Sequence, residues 1–189
     1  MSTIVNTPAS AARIPPRRAV AGEVHVGHLA TPVGRLLVAA TPAGLVRVGF
    51  ERESPDAVLA ELRAGIGRRI VDEGPLVDAP RAQLEAYFAG TLNQFTMPLD
   101  LSSSTGFRRS VLEHMFQIPY GTTITYAELA RRAGNGRAAR AAGHACATNP
   151  IPIVVPCHRV IGSDGGLNGY GGGLHIKQGL LRLEGVIIA

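Results

Sequence analysis

The chain has 189 residues, 46% of them hydrophobic and 17% charged; this excludes a disordered chain and suits one ordinary domain or two small ones. The formal net charge of +5 permits nucleic-acid binding without requiring it. The two cysteines, Cys146 and Cys157, lack CxxC or Cys/His spacing, which excludes a disulfide scaffold and a zinc ribbon, and no apolar stretch approaches the roughly 20 residues of a membrane span.

Residues 1–20 mix Ser, Thr, Pro and Arg without an apolar core, and no hydrophobic segment follows Arg17-Arg18. The expectation is a flexible basic tail, not a secretory signal, on a cytoplasmic protein whose thiols stay free. From Glu23 to Phe50 the apolar residues Val24, Val26, Leu36, Leu37, Val38, Leu45, Val46 and Val48 are interrupted by Thr31-Pro32-Val33-Gly34 and Thr41-Pro42-Ala43-Gly44. That pattern predicts strands joined by hairpin turns. Ser54 as N-cap and Pro55 in the first turn predict a helix to about Ala64. A second helix is predicted over Asp78 to Ala89, with Leu84, Tyr87 and Phe88 on one face, and a short strand over Phe95 to Leu101. Asp72, Glu73 and Asp78 read as solvated acidic surface. Residues 21–100 thus form a small α/β unit without a catalytic constellation of its own.

The polar run Leu101-Ser-Ser-Ser-Thr-Gly106 marks the boundary to a helical second unit, 101–189. Val111, Leu112, Met115 and Phe116 make one stripe on a helix from Phe107 to Ile118, stopped by Pro119-Tyr120-Gly121. Thr125 with Glu128 three residues on is a capping box for a helix over Tyr126 to Arg132. Gly134-Asn135-Gly136 then turns the chain into a third helix, Arg137 to about Ala147, completing a helix-turn-helix pattern. That third helix carries Ala138, Ala139, Ala141 and Gly143 around one long side chain, Arg140. Small residues allow close approach to a narrow groove and a single Arg suits insertion into a base stack. Tight helix packing with Arg140 in a surface ion pair explains the same residues equally well.

Ile151-Pro-Ile-Val-Val155 predicts a buried strand that delivers Pro156-Cys157-His158-Arg159-Val160 to a loop. A cysteine held there beside a histidine is placed to react and not merely to pack. Adjacent residues of an extended segment point to opposite sides, so a bridging water links Cys157 to His158 more easily than direct contact. Glu184, at the end of a helix from Leu174, is the carboxylate that would orient His158 in a nucleophile, base and orienter relay. Asn149-Pro150 marks a turn whose Asn either ties helix to strand or is an ordinary turn residue. The segment 162–174 holds seven glycines in thirteen residues but lacks the phosphate-binding signatures. It suits a pliable wall around Tyr170 over a flat ligand.

Ile151 to Gly162 followed by Gly169-Tyr-Gly-Gly-Gly-Leu174 resembles the active-site signature of the O6-alkylguanine-DNA alkyltransferases, and Ile118-Pro-Tyr-Gly-Thr-Thr-Ile-Thr-Tyr-Ala-Glu-Leu-Ala130 resembles the same family's approach to its helix-turn-helix. The likeness implies a small α/β N-terminal domain with a ribonuclease H-like sheet and helices, followed by a mainly α, winged helix-turn-helix C-terminal domain. It implies a monomer that repairs double-stranded DNA containing alkylated guanine, and O4-alkylthymine, with no cofactor, metal or membrane. Cys157 would take the alkyl group irreversibly, and His158 with Glu184 would form the water-linked base. Tyr126 would turn the 3′ phosphate, contact the flipped base and protonate the leaving guanine. Arg140 would fill the vacated stack, with Ala138, Ala139, Ala141 and Gly143 in the minor groove. Asn149 would brace the helix-turn-helix, and Tyr170, Val160 and Gly171 would line the guanine pocket.

The chain departs from some relatives. Residues 1–100 lack the cysteines of their zinc site, the cysteine cluster of the fused phosphotriester-repair module is missing, and Cys157 stands where non-repairing relatives have Trp. Gly171 replaces a Ser of some relatives, which makes room for bulkier alkyl groups. Two other classes fit the residues: a Cys-dependent hydrolase or amidotransferase, which would turn over, and a helix-turn-helix regulator, which would not need Cys157.

Overall fold

The computed structural model describes residues 22–66 and 69–187; the expected tail lies outside them. Three antiparallel strands, β1 (Val24–Thr31), β2 (Gly34–Thr41) and β3 (Gly44–Gly49), form the hairpins expected from the turn residues. A strand that the sequence reading missed, β4 (Ile70–Asp72), pairs parallel to β1 and gives the order β3-β2-β1-β4. Three residues are too short for a periodicity signal, so Asp72 read only as acidic surface.

Both faces of this sheet are covered. Leu37 and Ala39 on β2 meet α1 (Pro55–Ile66) through Val58 and Leu62. Leu36, Val38 and Ala40, on the opposite face by the strand's period of two, join the main core with Leu84 and Tyr87 of α2 (Asp78–Phe88). On β3, Leu45 opposes Ala40 while Arg47 opposes Ala39, so Val46 is an extra, bulged residue. The bulge puts Leu45 and Val48 on the same side, in the main core.

Phe95–Leu101 is not the expected strand: it bends at Met97 and makes one bridge, Leu99 to Leu45, with Leu45 N donating to Pro98 O at 2.9 Å. Gly44 permits that approach, with φ of 135° and no room for a Cβ beside the Pro98 carbonyl.

The second unit packs α3 (Gly106–Phe116), α4 (Tyr126–Arg132) and α5 (Ala139–Ala147) around Val111, Leu112, Met115, Leu129, Ala142 and Ala145. Helix α5 starts two residues later than expected, with Ala138 as its N-cap. Thr125 Oγ1 accepts from Glu128 N at 3.1 Å, but the Glu128 carboxylate bonds Arg131 and Arg132 instead of closing the reciprocal half of the capping box. Two short parallel strands, β5 (Ile124–Thr125) and β6 (Val160–Ile161), flank the helix-turn-helix, and α6 (Leu174–Leu183) closes the unit. Among the described residues no helix is long and apolar enough to cross a membrane.

Candidate active site

The apolar run before the cysteine is not a strand. Ile153 has φ of 75°, and residues 151–155 form a buried turn closed by Val155 N donating to Ile151 O at 2.8 Å. A β-branched residue in the left-handed region is strained by about 1–3 kcal/mol and persists only where its surroundings impose it. Asn149 imposes it here. Its Nδ2 donates to Val155 O at 2.7 Å and its Oδ1 accepts from Ile151 N at 3.0 Å. The next residue, Pro150, accepts at its carbonyl from Val48 N of β3 at 2.9 Å, which ties the turn to the N-terminal sheet.

Cys157 opens a single 3₁₀ turn, Cys157–Arg159, anchored by its own N donating to Val155 O at 2.8 Å. Cys157 and His158 lie in this turn and not in the expected extended segment, so the alternation of a strand does not set their directions. His158 Nδ1 is nevertheless buried without a hydrogen-bond partner among the described residues, so the two side chains are not directly bonded.

The histidine's other nitrogen is engaged: Nε2 lies 2.8 Å from Glu184 Oε1, and neither side chain is exposed. Glu184 also accepts from Arg159 Nε and Nη2, both at 2.9 Å, from Tyr87 Oη at 2.6 Å and from Gly121 N at 3.3 Å. Burial pushes its carboxyl up, but the hydrogen bonds from His158 and Arg159 outweigh this and hold it at about 2. An ionised Glu184 only accepts, so Nε2 carries the proton and Nδ1 presents a lone pair. Burial keeps His158 below its ordinary value, against the pull of Glu184. The histidine is therefore a neutral base at neutral pH.

Burial also raises the Cys157 thiol, and outweighs the smaller opposing effects of its polar surroundings, among them the Lys177 ammonium. The sulfur is thus a thiol at rest and needs a base to become a nucleophile. Tyr126 is pushed up to about 12, first by burial and then by the nearby Cys146 and Cys157; it stays protonated and able to donate. Lys177 is fully buried, with Nζ donating to Val160 O at 2.7 Å and to Leu167 O.

Cys157 opens into a cavity of about 370 Å³ whose walls include Asn149, Cys146, Tyr170, Gly171 and Phe50. The Tyr170 and Phe50 rings pack edge to face with centroids 5.6 Å apart, and the buried Tyr170 hydroxyl meets no hydrogen-bond partner among the described residues. Val160, expected in this pocket, is buried and does not line the cavity. A larger hollow of about 550 Å³ behind Tyr120 and Arg159 does not reach the thiol.

Beside the cavity, α5 turns Ala142 and Ala145 inward and Arg140 and Ala141 to solvent, with Ala139 and Gly143 half-buried. A Cβ on Gly143 would lie 3.7 Å from the Tyr126 ring, so that ring rests on the helix. Arg131 and Arg132 pair with Glu128, whereas Arg140 makes no ion pair among the described residues. The ion-pair explanation of Arg140 therefore has no support in the structure.

Comparison with known proteins adds to this geometry. Residues 24–101 match the model of the 6-O-methylguanine DNA methyltransferase ribonuclease-like domain, and residues 106–186 match that of the same family's DNA-binding domain. The methylated-DNA–protein-cysteine methyltransferase of Methanosarcina acetivorans is 44% identical over 160 residues, 82% of this chain and 94% of that protein. The chain belongs to this family. The Mycobacterium leprae methylated-DNA–protein-cysteine methyltransferase is 41% identical over 161 residues, covering 85% and 92% of the two chains. The crystal structure of Mycobacterium tuberculosis OGT in complex with DNA superposes with a TM-score of 0.74 at 38% identity, covering 85% of this chain and 92% of that one.

For this methyltransferase, the sequence reading missed three residues that build the site. Arg159 was in plain view within the signature. Lys177 had a signal, a charged residue among the inward positions Ile176, Leu180 and Leu181 of α6. Tyr87 had none, because it reaches Glu184 across 97 residues.

Proposed function

We propose that this protein repairs O6-alkylguanine in double-stranded DNA by moving the alkyl group, once and irreversibly, to Cys157. The observation that carries this reading is a buried, neutral thiol next to a neutral histidine base, in a cavity walled by Tyr170 and by Cys146 and Ala147 of the helix that exposes Arg140. His158 Nδ1 takes the thiol proton through a bridging water, and the sulfur attacks the alkyl carbon on guanine O6. The carbon–oxygen bond breaks, its electron pair returns to the base, and Tyr126 supplies a proton to the leaving guanine. The thioether on Cys157 has no good leaving group, so each molecule acts once.

Tyr170 and Gly171 wall the space for the base, and Asn149 holds the turn that carries the sulfur. Arg140, flanked by Ala138, Ala139, Ala141 and Gly143, enters the minor groove and fills the place of the extruded guanine. Extrusion costs a few kcal/mol, less for a badly paired base, which favours damaged sites. With free thiols and a chromosomal substrate, the protein acts in the cytoplasm.

Intact-mass spectrometry after incubation with an O6-methylguanine duplex tests this. One methyl gained at Cys157, with product equal to protein and none formed by Cys157→Ala, is the expected result. Repeated turnover, or undiminished repair by Cys157→Ala, would overturn it.

A further inference from the structure

Glu184 is where the two units of the chain meet. Its carboxylate orients His158, yet one of its shortest hydrogen bonds comes from the N-terminal sheet domain, from Tyr87 on α2 at 2.6 Å. Tyr87 is 1% exposed and sits in an aromatic cluster, its ring centroid 5.3 Å from those of Phe88 and Phe95 and 6.1 Å from that of Tyr120. Those rings fix the hydroxyl at Oε1, the same oxygen that receives His158 Nε2.

We propose that Tyr87 is a positioning residue for alkyl transfer, holding Glu184 Oε1 against the His158 ring and setting how strongly His158 takes up the Cys157 proton. The inference rests on the alkyl-transfer reading above. A carboxylate oxygen that shares its charge with a hydroxyl donor attracts the imidazole proton less strongly. With Tyr87 in place His158 stays neutral and ready at neutral pH, and without it Glu184 stabilises an imidazolium that cannot accept the thiol proton. Tyr87 cannot switch roles, because burial and the Glu184 charge keep its hydroxyl protonated. The other charged or titratable groups facing this carboxylate among the described residues are His158, Arg159, Tyr120 and Tyr170, and the Lys177 charge also acts on His158. Tyr87→Phe removes only the hydroxyl and keeps the ring packing.

The test is the pH profile of single-turnover methyl transfer from an O6-methylguanine duplex. In Tyr87→Phe the acid limb is expected to move up by about one pH unit, the scale of one hydrogen bond to an ionised group. The rate then falls about tenfold on that limb and stays close to wild type at pH 8.5. Affinity for an unmodified duplex and the thermal midpoint report that the variant is folded. In a Glu184→Gln background the same substitution is expected to shift nothing further. A loss of equal size at every pH, an unchanged profile, or a shift that persists beside Glu184→Gln would overturn the proposal. Failure of the underlying reading looks different: the wild-type chain itself would take up no methyl group.

Discussion

His158 Nε2 and Glu184 Oε1 lie 2.8 Å apart with both side chains wholly buried. This contact fixes the tautomer that leaves Nδ1 free, and the same carboxylate neutralises Arg159. Glu184→Gln keeps the size and one acceptor but loses the charge. Single-turnover transfer is expected to slow by about 10²-fold, the scale of general-base assistance. Urea denaturation is expected to show a loss of about 3–5 kcal/mol, because Arg159 is left buried without its counter-ion. A variant that keeps the wild-type rate would remove Glu184 from the relay.

The Asn149 clamp makes a separate prediction. Asn149→Ala deletes two buried hydrogen bonds that hold Ile153 at its positive φ, and leaves Val155 O and Ile151 N without those partners. At about 1–3 kcal/mol for each of these two unsatisfied buried groups, the cost is expected to be on the order of 2–6 kcal/mol in urea denaturation, with a slower transfer rate as the Cys157 turn relaxes. Unchanged stability would mean that the turn holds itself.

How much of this was legible beforehand follows from the range of the interactions. Hairpin turns, the Thr125 cap and the amphipathic helices are local, and their residues named them. The Ile151–Val155 run misled because its β-branched residues fit a strand equally well; the two prolines and Asn149 decide for a turn only once their partners are in place. Cys157, His158 and Glu184 were legible from residue chemistry as a nucleophile, a base and its orienter, and the family resemblance added their roles in alkyl transfer. Their electrostatics were not, since burial, which raises Cys157 and lowers His158, is a property of the packed core.

Arg140 is exposed and without an ion pair among the described residues, so Arg140→Ala is expected to leave stability within about 0.5 kcal/mol of wild type. Under the proposed role of Arg140 in filling the place of the extruded guanine, methyl transfer from a duplex should slow at least tenfold. Transfer from free O6-benzylguanine, which needs no extrusion, should keep its rate. Equal losses on the two substrates would show that Arg140 acts on the pocket and not on the duplex.

At Gly171 a Cβ would meet nothing within 4 Å and the backbone φ is not in the left-handed region, so Gly171→Ser is tolerated by the fold while it narrows the cavity of Cys157 and Tyr170. The ratio of benzyl to methyl transfer rates is expected to fall by about 10-fold, the lower end of what small steric changes in a pocket achieve. Equal ratios for the two proteins would show that the alkyl group lies elsewhere.

Stability should depend on pH through the same buried groups. Folding lowers Glu184 from 4.5 to about 2, so it contributes stability that is complete above about pH 4.5 and is lost as pH falls towards 2; the shift corresponds to on the order of 3 kcal/mol. His158 is also lowered, so the unfolded chain binds its proton first and stability begins to decline below the ordinary histidine value of 6.5. Both effects have the same sign. Urea midpoints should therefore hold steady from pH 8 to 7 and then fall with acid, more steeply below pH 4.5. Glu184→Gln should start lower and lose less between pH 4.5 and 3 than the wild type does. Parallel curves for the two proteins across that interval would show that Glu184 is not held ionised by its partners in the fold.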